Sequence, residues 1–123
     1  MKGIGTDIVQ ISRIKASFEK QGQRFVDRIL TEAEQEIFRQ RGMSVSFLAN
    51  RFAAKEAIAK ALGTGIAGGV SFVDIQVLPD SYGAPEVTLF NASLQRLCDI
   101  GAKSVKLSIS DEKEYAVAFA IVL

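Results

Sequence analysis

The sequence reads as a single α+β domain over residues 1–123, and three features predict that class. Helix-spaced apolar residues fill most of the first half, whereas period-2 alternation and turn residues dominate the second, so helices and hairpins are partly segregated. A length of 123 residues suits one domain. An apolar fraction of 48% against 24% charged residues belongs to a folded globular chain, not a disordered one. No repeat, linker or low-complexity stretch divides it.

Residues 2–9 form a strand, with Ile4, Thr6 and Ile8 facing one way and Gly3, Gly5, Asp7 and Val9 the other. The spacing of Ile11, Ile14 and Phe18 makes 11–20 a helix, with Arg13, Lys15 and Lys20 on its other faces; a second short helix covers 22–29. Thr31 opens the next helix through a capping box with Glu34, and that helix ends near Gly42. Ser46–Leu62 is the strongest helix, rich in alanine, poor in β-branched residues and stopped by Gly63. Its apolar rows, Phe47, Ala54, Ile58 and Ala61 among them, make it the central and most buried helix. A glycine-rich loop, Thr64–Gly69, leads to a strand over 70–78, a turn at Pro79–Pro85 and a hairpin partner over 86–90. Asn91 caps a helix that runs to Ile100, where Gly101 ends it. Two more strands, 104–110 and 115–122, flank the polar Asp111–Glu114.

Composition excludes several chemistries. With no histidine, neither a histidine-based triad nor an imidazole-ligated zinc, copper or iron site can be built. Cys98 alone cannot form an intramolecular disulfide or a thiolate cage, so a reducing, cytoplasmic setting is expected. No segment reaches the roughly 18 apolar residues of a membrane span, and Asp7 interrupts the place where a signal peptide would carry its apolar run. A net charge of +1 argues against a general nucleic-acid binder. The charge is unevenly placed: residues 1–60 hold 11 Lys and Arg against 7 Asp and Glu, a net +4, and residues 61–123 hold 4 against 7, a net −3. An anionic partner is expected at the basic half.

Acid–base or metal chemistry therefore falls to carboxylates, lysines, hydroxyls and backbone. Asp7 lies in an otherwise apolar strand, where an unpaired charge is costly, so either a salt bridge or a ligand compensates it. Gly3 and Gly5 on its own face leave room for a bulky polar ligand or for packed backbone. In the long helix, Phe52, Glu56 and Lys60 are four apart along one stripe, and Arg51 and Lys55 form a second stripe one residue round. A Glu56–Lys60 pair on a solvated face is the simplest reading, but alanines at 53, 54, 57, 59 and 61 imply packing on several sides, which places the charged stripes along a cleft. The loop at Gly63–Gly69 sits at the negative end of the helix dipole, so the helix does not itself favour an anion there, and a plain helix cap is the simpler reading. Arg13, Lys15, Lys20, Arg24 and Arg28, interleaved with Phe18 and Phe25, suit either a solvated face or a docking surface for an acidic protein.

Read together, Gly3-Ile-Gly-Thr-Asp7-Ile, Arg51-Phe-Ala-Ala-Lys-Glu56-Ala with Lys60-Ala-Leu-Gly-Thr-Gly65, and Leu107-Ser-Ile-Ser-Asp111 with Tyr115-Ala resemble the holo-[acyl-carrier-protein] synthase family of phosphopantetheinyl transferases over nearly the whole chain. The resemblance implies an α+β fold in which a small antiparallel sheet packs with a long central helix. It implies transfer of 4′-phosphopantetheine from coenzyme A to a serine of apo acyl carrier protein, with adenosine 3′,5′-bisphosphate as the other product, in the service of fatty acid biosynthesis. It also implies Mg²⁺ held by Asp7 and Glu56, coenzyme A contacts from Arg51, Lys55, Lys60, Gly63, Thr64 and Gly65, and carrier-protein docking on Arg13, Arg24, Phe25 and Arg28. Small members of the family form homotrimers with active sites between subunits. Many relatives carry histidine where this chain has Lys106, which preserves a positive charge for the coenzyme A phosphates but makes a poor base. Candidates for deprotonating the serine are Glu56, directly or through water, a metal-bound hydroxide, or Asp7, with Glu56 preferred. A non-catalytic binding module and a structural domain in which Asp7 and Glu56 only balance nearby cations are the competing readings.

Overall fold

The computed structural model describes residues 1–123, in which five strands and five helices follow one another as β1 (Gly3–Gln10), α1 (Ile11–Gln21), α2 (Gln23–Ile29), α3 (Glu32–Gln40), α4 (Val45–Ala61), β2 (Ile75–Pro79), β3 (Pro85–Leu89), α5 (Asn91–Asp99), β4 (Val105–Asp111) and β5 (Tyr115–Val122). The expected α+β class holds. One antiparallel sheet has the order β1-β5-β4, and β2 and β3 make a separate hairpin.

Helix α4 lies across the three-stranded sheet, and small side chains on both partners let it come close. Ala116, Ala118 and Ala120 of the central strand β5 are fully buried, as are Ala53, Ala54, Ala57 and Ala59 of α4. At β1 the approach is closer still: a Cβ on Gly3 would overlap the carbonyl of Ala61, and one on Gly5 the carbonyl of Ala57. The two glycines thus admit packed backbone rather than a ligand. Alternation in β1 sends Gly5, Asp7 and Val9 towards α4 and leaves Ile4, Thr6 and Ile8 on the open face. Ile8 is 63% exposed there and Phe119 of β5 40%, so this sheet has one packed face and one bare apolar face.

Local chemistry explains where the elements begin. Thr31 and Glu34 form the expected box, the Glu34 amide donating to Thr31 Oγ1 at 3.3 Å and the Thr31 amide to Glu34 Oε1 at 2.8 Å. Helix α4 starts slightly before the expected Ser46 because Ser44 Oγ accepts from the Phe47 amide at 3.2 Å. The expected strand over 70–78 is half replaced: Phe72–Asp74 is a 3₁₀ turn, closed by the Ser71 amide on Asp74 Oδ2 at 3.3 Å, and only Ile75–Pro79 pairs as strand. Asn91 does not cap α5. Its side-chain amide donates to Asp74 Oδ1 at 3.1 Å, while Ser93 Oγ accepts from the Phe90 amide at 3.2 Å. No helix is long and apolar enough to cross a membrane.

Candidate active site

The inner face of β1 and one stripe of α4 meet at a cavity of about 800 Å³. Asp7 enters it from β1, and Phe52, Glu56 and Lys60 from successive turns of α4. The expected Phe52-Glu56-Lys60 stripe therefore does line a cleft. Lys60 ignores its helical neighbour Glu56 and reaches across to β1, where its ammonium donates to Asp7 Oδ1 and to the Thr6 carbonyl, each at 3.0 Å. The side chain of Asp7 is only 16% exposed, so the lysine compensates a carboxylate that water reaches poorly.

Glu56 has no such partner. Burial is the main force raising its pKa above the ordinary carboxylate value, and the like charge of Asp7 raises it further; Lys60 and Arg28 pull it back. Much of the remaining lining is basic and aromatic. Arg13 of α1 and Arg28 of α2 line the cavity, both free of ion pairs, and the Arg28 guanidinium lies 5.8 Å from the centroid of Phe72. Phe72 in turn packs on Phe52 with centroids 5.2 Å apart.

Several expected contacts lie elsewhere. Lys55 is fully buried, and its ammonium is held by Glu34 Oε1 and the Ile29 carbonyl, both at 2.6 Å. Burial lowers its pKa and the Glu34 carboxylate opposes that shift. Arg51 is also buried, donating from Nε to the Val77 carbonyl at 3.0 Å with its guanidinium 4.5 Å from the Phe47 centroid. Neither lines the cavity; within the chain the second stripe of α4 braces β2 and α2 from inside. The loop amides are likewise committed: that of Gly63 donates to the Lys60 carbonyl at 2.9 Å, and those of Thr64 and Gly65 to the Ala59 carbonyl at 3.2 and 3.0 Å. They cap α4, and of the three residues only Gly65 lines the cavity. Phe25 is 4% exposed, a cavity wall rather than a protruding anchor, and Arg24 is exposed but outside the cavity. Lys106 stands on the bare side of β4 and lines a second cavity of about 470 Å³ with Lys103.

Residues not singled out from sequence also line the cavity. Ser17 and Gln21 line it beside Arg13, and their i+4 and i+8 spacing from that residue was a usable signal. Phe72 gave none, because the 3₁₀ turn that aims it was hidden in an apparent strand. No group of three or more ligating side chains gathers anywhere in the chain. An acidic pair converging on one cavity, with one member left unpaired, nevertheless suits Mg²⁺, which takes one or two carboxylates and completes its shell with water and phosphate oxygens.

The family profile described as the 4′-phosphopantetheinyl transferase superfamily matches residues 3–120. Holo-[acyl-carrier-protein] synthase of Shewanella amazonensis is 53% identical over 119 residues, covering 97% of this chain and 95% of that protein. The crystal structure of the enzyme of that name from Neisseria meningitidis superposes with a TM-score of 0.91 at 47% identity, over 100% of this chain and 98% of the other. The Helicobacter pylori enzyme in complex with coenzyme A superposes with a TM-score of 0.86 at 33% identity, over 98% of this chain and 99% of that one.

Proposed function

The chain belongs to the 4′-phosphopantetheinyl transferase superfamily, and from that premise we propose that it is a holo-[acyl-carrier-protein] synthase whose chemistry runs in the Asp7–Glu56–Lys60 cavity. It transfers 4′-phosphopantetheine from coenzyme A to a serine of apo acyl carrier protein. The serine oxygen attacks the β-phosphorus of the coenzyme A pyrophosphate, the bond from that phosphorus to the bridging oxygen breaks, and adenosine 3′,5′-bisphosphate leaves with the electron pair. The serine proton passes to Glu56, directly or through water, as the one acidic side chain of the cavity without a cationic partner.

Asp7 and Glu56 would hold Mg²⁺, which when bound supplies charge neutralisation on the transferring and leaving phosphates. Lys60, fixed by Asp7 and the Thr6 carbonyl, keeps its remaining donor capacity towards the cavity for a phosphate oxygen. Arg13 and Arg28, unpaired at the rim, receive the acidic carrier, with Arg24 extending the charge along α2; an on-rate that falls with added salt follows from that role. The bare face of the β1-β5-β4 sheet is the contact between copies in a homotrimer, since apolar patches of this kind mark association surfaces. Lys106, in its separate cavity, then contributes to coenzyme A binding across a subunit boundary. The exposed, unpaired Cys98 accords with a reducing, cytoplasmic setting.

The observation that carries the proposal is the convergence of Asp7, Glu56 and Lys60 on one cavity walled by unpaired arginines. Intact-mass analysis of apo carrier protein incubated with coenzyme A and Mg²⁺ tests it. One phosphopantetheine per carrier is expected, lost with a chelator and lost in Asp7→Ala and Glu56→Ala variants that remain folded. Undiminished modification by either variant at saturating Mg²⁺ would overturn the assignment of the site.

A further inference from the structure

The buried node at Lys55 lies outside the cavity, yet both residues it ties together are one position from the cavity walls. Lys55 precedes Glu56 on α4, and Ile29, whose carbonyl accepts from Lys55 Nζ at 2.6 Å, follows Arg28 on α2. Helix α2 has 7 residues, too few to hold its own position. Its last carbonyls have no partner within the helix, and Lys55 supplies one. The lysine itself cannot drift. Glu34 Oε1 accepts from it at 2.6 Å and from the Thr31 amide at 2.8 Å, while Glu34 Oε2 accepts from the Val77 amide at 2.7 Å. A buried ion pair is seldom better for stability than an apolar pair of similar volume, so stability alone is a weak reason for this one.

We infer that Lys55 is a positioning residue, which through the Ile29 carbonyl fixes Arg28 relative to Glu56 at the cavity both line, so that the surface receiving the carrier protein stays in register with that carboxylate. The inference rests on the reading of Arg28 as part of the docking surface.

A double-mutant cycle separates this role from a purely structural one. Lys55→Met combined with Glu34→Gln removes the pair without leaving a buried charge, and is made with Arg28 intact and with Arg28→Ala. Steady-state kinetics with each substrate varied give both KM values and kcat, and thermal melts report folding. With Arg28 intact, kcat/KM for the carrier falls about tenfold while KM for coenzyme A changes less than about twofold; in the Arg28→Ala background the same change costs less than about twofold. Equal losses in both backgrounds, or a loss shared by both substrates, would overturn the inference and leave the docking reading intact. If Arg28→Ala alone leaves the carrier KM unchanged, the docking reading fails and the inference falls with it. Should the neutralised pair not melt cooperatively, Lys55→Arg, which keeps the charge against Glu34 but cannot keep the short Ile29 contact, serves in the same cycle.

Discussion

Glu56 and Lys60 stand one helical turn apart, the spacing at which such residues pair on an isolated helix, yet Lys60 turns to Asp7. The preference is physical. Asp7 lies in a poorly hydrated strand and needs a cation more than Glu56 does, and β1 offers Lys60 the Thr6 carbonyl as well. Glu56 is left to carry charge where burial and Asp7 disfavour it, so its folded pKa lies above its unfolded one. Between those two values the folded chain binds more protons than the unfolded chain. Stability therefore falls as pH rises through the window, and the full deficit is present above the folded pKa. Without metal or coenzyme A, Glu56→Gln is expected to raise the Tm by about 1–3 °C near pH 8, with the gap closing below about pH 4, where the carboxyl is protonated in both states. Scanning calorimetry across that range checks it; an unchanged or lowered Tm at high pH would show that Glu56 is not destabilised. Both carboxylates were legible in the sequence, because a charge in an apolar strand or an alanine-rich helix demands an explanation. The fate of Lys55 was not. Its buried partner Glu34 already had a sufficient role in the Thr31 capping box, and nothing local signals that one carboxylate serves the box, a lysine and the Val77 amide together.

Helix α4 meets β1 through backbone and methyl groups, and the geometry of the site depends on how close that contact is. Asp7 and Lys60 bond at 3.0 Å only because Gly3 and Gly5 let the carbonyls of Ala61 and Ala57 sit against the strand. Gly5→Ala forces its Cβ into the Ala57 carbonyl, where no rotamer change can relieve the overlap. A loss of about 2–3 kcal/mol is expected, seen as a fall of about 1–2 M in the urea midpoint with little change in slope. The Asp7–Lys60 bond should lengthen as the strand is displaced, so activity falls further than stability under folding conditions. A Gly5→Ala protein with an unchanged midpoint would mean that α4 and β1 are looser than described. The same contact shows why elements were more readable than their ends. Alanine content and helical spacing over α4, and alternation in β1 and β5, reflect packing along the whole element. The starts of β2 and α5 depend instead on single side chains, Asp74 closing a turn with Ser71 and Ser93 rather than Asn91 taking the Phe90 amide. Such choices between neighbouring polar groups are decided by tertiary placement and leave no periodic trace.

Across the whole molecule, the two faces of the β1-β5-β4 sheet divide the work. The inner face packs on α4 and sets the cavity, while the outer face leaves Ile4, Ile8, Val117 and Phe119 to solvent in a single copy. The register places these residues as neighbours: Ile8 opposite Val117, and Thr6 opposite Phe119 with Ser108 on the far strand. The alternation that produces this stripe was visible in the sequence, but a single sequence does not say whether such a face meets another element of the same chain or another copy. The fold answers the first half, since no element of the chain covers it. In the proposed homotrimer the face is buried and Lys106, remote from Asp7 within one chain, reaches the site of a neighbour. Val117→Lys with Phe119→Lys places two like charges at the centre of the contact and disturbs nothing on the inner face, where Ala116, Ala118 and Ala120 pack on α4. The wild-type chain should sediment as a trimer and the variant as a monomer with an unchanged far-ultraviolet spectrum. Transfer to the carrier should fall by at least about tenfold, since a desolvated contact of this kind costs several kcal/mol when charged and each 1.4 kcal/mol is a factor of ten. A variant that still sediments as a trimer would place the contact elsewhere, and a fully active monomer would show that one chain holds the complete site.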